Sequence, residues 1–261
     1  MRTTVVVPWH NRTQLDAFID AWKIEWGDDR VLFQQDISKE GCAVTKNKGI
    51  RRAMNEGAEI IIILDDDCFP HDGQSLTAFI TAHEYALQPQ PVPMFDVVTD
   101  PPSRGTPYFS RTLAMPVAAS MGFWSHVGDY DACGQLVHGA TKPMTFDTRP
   151  RWGRYFPLCG MNLAFRATEW PWCQFINVAR FDDIWQGFLW QRHAYAQRRC
   201  FNLAGPLVMH SRQSNVWANL RDEAVNLERN ETIWKQVDEM PTLGYDEALA
   251  FLGLSTGLLS V

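Results

Sequence analysis

No pair of cysteines in the sequence is spaced C-x-x-C. The six stand at 42, 68, 133, 159, 173 and 200, scattered and without the spacing of a zinc site. A disulfide framework is therefore not expected, and the thiols read as reduced side chains of a cytoplasmic protein. Long hydrophobic runs are missing too. The N-terminal MRTTVVVPWHNR offers only Val5–Val7 before Pro8, too short for a secretory leader, and no stretch approaches a membrane span. Basic excess is absent: 24 Lys and Arg stand against 30 Asp and Glu, for a net charge of −6. That balance argues against binding nucleic acid through bulk charge, although it leaves room for a local basic groove. Low-complexity tracts and internal repeats are also lacking. The 261 residues therefore fit one large α/β domain or two small ones, with ample material for a core.

What is present is an alternation. TVVVP (4–8) reads as a β-branched strand that breaks at Pro8. Leu15, Phe18, Ile19, Trp22 and Trp26 then recur at helical spacing, with Asn11 or Thr13 as the cap. RVLFQQD (30–36) is a second strand, VTKNKGIRRAMNEG (44–57) a second helix stopped by Gly57, and EIIIIL (59–64) a third strand. This third strand is apolar on both faces, so it belongs in the middle of a sheet covered on both sides. SLTAFITAHEYAL (75–87) is the next helix. Such β-α-β-α-β-α order predicts a Rossmann-like, mostly parallel sheet flanked by helices, with ligands gathering beyond the carboxyl ends of the strands. Residues 89–110 are proline-rich around MFDVV (94–98), read as loop, strand and loop. Helices are expected at 181–199 and 216–239. The chain reads as a single domain over 1–261: a nucleotide-binding half at 1–100, a second half at 101–220 and a helical tail at 221–261. The eleven tryptophans suit core and pocket wall, and an aromatic pocket suits a ring-shaped ligand.

The central strand runs straight into Asp65, Asp66 and Asp67. Asp65 and Asp67, two apart beyond a buried strand, project to one side and can share a divalent cation. Oxygen ligands suit Mg²⁺ or Mn²⁺, which complete their shells with water and substrate phosphates. A solvated turn is the plainer alternative, but three acids after so apolar a strand fit a site better. Asp36 ends the second strand, where a carboxylate accepts hydrogen bonds from a base or ribose, or simply makes a turn. Lys46, Asn47, Lys48, Arg51 and Arg52 lie on the helix beside it; some face a phosphate and others are solvated surface. Asp182 and Asp183 open a helix, as first-turn acids favoured by the dipole or as groups binding substrate hydroxyls and moving protons. His210 ends a strand-like run and is a candidate third metal ligand, with Arg212 as a phosphate contact.

Five segments together resemble one family: the DDDCF turn, MGFW..VGDYDACGQL (121–136), FPLCGMNLAF (156–165), RFDDIWQGF (180–188) and MHSRQSN..ANL (209–220). They look like the reversibly glycosylated polypeptides, which include the UDP-arabinopyranose mutases, on a glycosyltransferase-A fold. The N-terminal half is more similar to a general family-2-type glycosyltransferase. The chain is shorter than plant members, as a bacterial- or phage-like version would be. The resemblance implies a UDP-sugar substrate and Mn²⁺ or Mg²⁺ on Asp65, Asp67 and His210, with Asp36 at the uridine. Pro8, Lys48, Asp66, Asn162 and Arg212 join Asp36 as nucleotide-sugar contacts. RGTPYFSR places Arg104 and Arg111 seven apart, like two arginines of the mutases, one of which is reversibly glycosylated. With Asp182 and Asp183 they form the expected catalytic set. The expected activity is interconversion of pyranose and furanose forms of the sugar. The alternative is transfer of the sugar, arabinose for example, to a glycan, a protein or a hydroxymethylated DNA base, the one route by which nucleic acid would become a partner. A UDP-sugar binder without catalysis is a third class, which the intact carboxylates disfavour. Plant members work as complexes of related chains, so homo- or hetero-oligomers are expected. No membrane partner is.

Overall fold

The computed structural model describes residues 1–96, 99–107, 111–139, 145–211 and 215–257. In chain order the first elements are β1 (Thr3–Trp9), α1 (Arg12–Trp22), β2 (Val31–Gln35), α2 (Cys42–Asn55), β3 (Ile60–Leu64), β4 (Cys68–Pro70) and α3 (Leu76–Ala86). There follow β5 (Gln90–Pro93), β6 (Thr112–Met115), β7 (Val117–His126), α4 (Ala132–His138), β8 (Asn162–Arg166) and α5 (Asp182–Ala196). β9 (Cys200–His210), α6 (Val216–Glu239) and α7 (Tyr245–Leu252) complete the set. The N-terminal alternation is as the hydrophobic periods predict. No helix among the described residues is long and apolar enough to cross a membrane.

Seven strands form one sheet in the order β2-β1-β3-β8-β7-β9-β4. β2, β1, β3, β7 and β9 run one way, and β8 and β4 run against them, so the sheet is mostly parallel and has the glycosyltransferase-A character. All five residues of β3 are buried, as its isoleucine run requires. The link from Leu64 to Cys68 has four Cα steps and reaches at most about 14 Å. In a flat sheet β3 and β4 would lie four spacings apart, about 19 Å. The sheet is therefore curled, and the acidic turn bridges its middle to its far edge.

Two local expectations change. β1 does not break at Pro8 but continues to Trp9. Val5 N–H donates to Arg30 and Trp9 C=O accepts from Asp36, so the odd residues of β1 face β2 and Pro8 faces β3. Pairing with β3 stops at Val6, so no ladder bond is lost to the missing N–H. The strand expected at 94–98 lies earlier, at β5, which pairs with β6 in a separate two-stranded ribbon; Val97 and Val98 lie outside the described residues. Asn11 is the α1 cap, its Oδ1 accepting from Thr13 N at 2.9 Å. α2 lies close on the sheet because Gly49 leaves room: a Cβ there would meet Val6 Cγ1 at 2.4 Å. One apolar cluster fills the sheet and the helices over it. A second, including Trp185, Leu189, Ile233, Val237 and Leu249, packs α5, α6 and α7 together.

Candidate active site

The acidic turn follows from where β3 ends. Asp65 N–H donates to Met161 C=O on one side, and Cys68 N–H closes the turn onto Asp65 C=O, each at 3.0 Å. Two adjoining cavities meet there, sharing Cys42 and Asp65. The first, about 750 Å³, is lined by Pro8, Trp9, Asp36 and all three aspartates among others. The second, about 670 Å³, is lined by Lys46, Asp129, Asp131, Asp182, Asp183 and Glu223 among others. Both fall in the size range of small-molecule sites.

Lys46 is a buried cation of this site. It is 3% exposed, and its Nζ lies 2.9 Å from Asp65 Oδ1 and 3.1 Å from Oδ2. Only the second contact has hydrogen-bond geometry, so Oδ1 is held by charge. Nζ also donates to Gly160 C=O at 3.1 Å and sits 5.1 Å over the Phe175 ring. Burial pushes the Asp65 carboxyl up against the pull of Lys46, with Asp67 adding to the rise. Burial and the flanking Asp67 and Asp65 push Asp66 up to about 7. Asp66 Oδ2 is buried with no hydrogen-bond partner among the described residues. Asp67 Oδ2 lies 3.5 Å from His210 Nε2, whose ring is anchored by Nδ1 at 3.1 Å from Val127 C=O. Burial lowers the His210 pKa, but Asp67, Val127 C=O and Asp129 together raise it, and the net direction is up.

The expected metal trio is thus divided. Lys46 holds Asp65, while Asp67 and His210 face each other across the turn, and among the described residues no three acidic, His or Cys side chains form a ready cage. A hard divalent cation of the kind that keeps waters and takes substrate phosphates needs only one or two carboxylates. Asp67 and the unpartnered buried oxygen of Asp66 supply carboxylates of that kind, with His210 beside Asp67.

Asp182 and Asp183 stand at the start of α5 and wall the second cavity. Asp183 Oδ2 accepts from Gly160 N–H at 2.8 Å, and burial together with Asp182 pushes its carboxyl up to about 7, against Lys46. Asp182 is also raised by burial, with Lys46 opposing. Asp36 does line the first cavity, where its Oδ1 accepts from Glu40 N–H at 2.9 Å and Oδ2 from Gly41 N–H at 3.2 Å. It shapes the turn into α2 while facing the cleft.

Other expected contacts lie elsewhere. Lys48 points outward to Glu40 and lines neither cavity; α2 presents Ala43, Lys46, Ile50 and Ala53 to the interior and turns Lys48 away. Asn162 is fully buried, with Oδ1 2.8 Å from His83 Nε2 and Nδ2 2.8 Å from Pro206 C=O. Its amide ties the sheet to α3 and has no face toward the cleft. Arg104 is in an exposed turn, and Arg111 donates to Pro107 C=O. Both belong to the segment that links β5 to β6, and neither is among the residues that line the two cavities. Arg212 lies outside the described residues.

Asp129, Arg180 and Glu223 were not singled out by the sequence, and Lys46 was named only as one of five candidates on α2. Lys46 had a signal, since it shares a helical face with Ala43, Ile50 and Ala53. Glu223 had one too, because Glu223, Asn230 and Val237 recur every seven residues on the packed side of α6.

The model of the family described as "Reversibly glycosylated polypeptide" matches residues 54–241. The chain is 32% identical over 234 residues to a probable UDP-arabinopyranose mutase 1 of Pisum sativum, covering 77% of this chain and 62% of that protein. It is 31% identical over 210 residues to UDP-arabinopyranose mutase 1 of Arabidopsis thaliana, covering 71% and 57%. To UDP-arabinopyranose mutase 1 of Oryza sativa subsp. japonica it is 30% identical, covering 71% and 56%. The chain spans about three fifths of the length of these relatives.

Proposed function

The chain belongs to the reversibly glycosylated polypeptide family, and from that premise we propose that it is a metal-dependent UDP-sugar mutase acting on a pentose such as arabinose. One observation carries the reading. Asp65, the first aspartate of the triplet, stands on the wall shared by two adjoining cavities, one of a size to take a nucleotide and lined by all three aspartates, the other lined by carboxylates suited to sugar hydroxyls. Pro8, Trp9 and Asp36 line the nucleotide side. Asp67, Asp66 and His210 would hold Mn²⁺ or Mg²⁺, which when bound neutralises the diphosphate leaving group.

Changing a pyranose to a furanose breaks the bond from the anomeric carbon to the ring oxygen and forms one from that carbon to another hydroxyl oxygen of the same sugar, while UDP leaves the carbon and returns to it. The ring oxygen leaving that carbon must gain a proton, and the hydroxyl that replaces it must lose one. A single group titrating near neutrality can do both in turn. Asp183, pushed up to about 7 by burial and by Asp182, has that property. Its Oδ2 bond to Gly160 N–H fixes the carboxyl toward the cavity. Asp182 and Asp129 accept hydrogen bonds from the remaining hydroxyls.

The test is incubation with UDP-arabinopyranose and Mn²⁺, without acceptor, followed by chromatography. UDP-arabinofuranose is the expected product, and Asp183→Asn lowers its rate about 10²- to 10⁴-fold while sparing UDP binding. Release of UDP without furanose would refute the mutase and favour transfer to an acceptor.

A further inference from the structure

We propose that Glu223 is a positioning residue that sets the sugar-facing wall of the cleft; this rests on the reading that the second cavity receives the sugar. Glu223 comes from α6, far along the chain from the acidic turn, yet it is 2% exposed and lines that cavity. Its Oε1 accepts from Arg180 Nε at 3.1 Å and from a terminal nitrogen of the same guanidinium at 3.0 Å. Its Oε2 accepts from Ala132 N–H at 2.7 Å. One buried carboxylate therefore ties three walls together.

Each tie leads to cavity-lining acids. Arg180 immediately precedes Phe181, Asp182 and Asp183. Its φ of 67° is a left-handed conformation that non-glycine residues hold only when their surroundings impose it. The fork onto Glu223 is such an imposition. Ala132 opens α4 directly after Asp129, Tyr130 and Asp131, and Asp131 caps the same turn by accepting from Gly134 N–H at 2.6 Å. Two turns further along α6, Asn230 accepts from Trp185 Nε1 at 2.9 Å, so the helix holds both the segment that enters α5 and α5 itself.

The chemistry demands a carboxylate. All three groups facing Glu223 are donors, and a carboxylate only accepts. Glutamine at this position keeps the shape but must turn its NH₂ toward Arg180 or toward Ala132 N–H, losing one tie whichever way it lies. Glu223→Asp keeps the charge but shortens the reach, so it should retain more of the effect than Glu223→Gln.

The experiment uses the full chain with Mn²⁺, measuring UDP and UDP-arabinopyranose binding by calorimetry and amide hydrogen exchange by mass spectrometry. In Glu223→Gln the affinity for UDP stays within about twofold, while that for UDP-arabinopyranose falls about tenfold, the scale of one hydrogen bond to a charged group. Glu223→Asp falls between. Amides at 130–134 and 180–184 exchange faster in Glu223→Gln, and those at 60–68 do not. Equal losses for both ligands, no loss for either, or unchanged exchange at 130–134 and 180–184 would each overturn the proposal. If the wild type binds UDP but makes no furanose, the mutase reading fails by itself. The exchange data then decide whether Glu223 holds the wall.

Discussion

Replacing Lys46 with Met tests whether this lysine is the internal counter-ion of the acidic turn. The methionine retains most of the aliphatic stem, so the loss is chiefly electrostatic. Asp65 keeps its half-buried position but loses the ammonium at 2.9 Å, and Gly160 C=O loses its donor at 3.1 Å. Removing one partner of a buried ion pair costs about 3–5 kcal/mol. The Asp65 side chain is 24% exposed, which lets water recover part of that cost, so the lower end, about 3 kcal/mol, is expected. For a chain of this size the corresponding fall in Tm is about 6–12 °C. The sign of the pH effect follows. Without Lys46 the Asp65 carboxyl rises further above its unfolded value, which destabilises the fold at neutral pH. The penalty is relieved as pH falls toward the folded pKa. The gap between wild type and variant, followed by thermal or urea unfolding, should therefore narrow from pH 8 to pH 5. Mn²⁺ should stabilise the variant more than the wild type, since Asp65 becomes available to the cation. Lys48→Met is the control: its exposed pair with Glu40 is worth at most about 1 kcal/mol. Equal Tm values for the two variants would refute the assignment of Lys46.

Asn162→Ala should cost about 2–4 kcal/mol, because His83 Nε2 and Pro206 C=O are left as buried groups without partners. UDP affinity should stay within about twofold, and a variant of normal stability with weakened UDP binding would return Asn162 to the ligand site. His83 supplies a second pH effect. It is wholly buried between Ser120 and Asn162, and burial lowers its pKa from 6.5 to about 4. A base whose folded pKa is depressed loses stability as pH falls from its unfolded to its folded value. The wild type should therefore lose about 2 kcal/mol between pH 7 and pH 5 from this group. His83→Leu should abolish that part of the loss in urea titrations at the two pH values, and an unchanged pH dependence would show that the imidazole is not held neutral.

The parts of the fold legible in the sequence are those where one face of one element carries the signal. The isoleucines of β3 had to lie in the middle of a sheet, because no exposed position tolerates five such side chains in succession. The carboxylates beyond them had to stand at its ligand-bearing edge. The choice between Lys46 and Lys48 was legible as well, by counting the helical face that Ala43, Ile50 and Ala53 define. What could not be read was set by pairings between distant segments. Arg104 and Arg111 were expected in the site from the family resemblance, and where the long link from β5 to β6 carries them is encoded by no local period. Asn162 shows the same limit from the other side. It adjoins Met161, which accepts from Asp65 N–H, and Gly160, which accepts from Lys46, yet strand alternation turns its side chain into the core, where His83 needs an acceptor. Motif membership thus locates the neighbourhood of the chemistry, but the pleat and the strand order decide which side chains enter it. Glu223 enters from a helix rich in charged residues, and Arg180 accepts a left-handed backbone to meet it. A buried carboxylate with three donors is expensive to assemble unless the wall it fixes is itself required, and that wall holds Asp182 and Asp183.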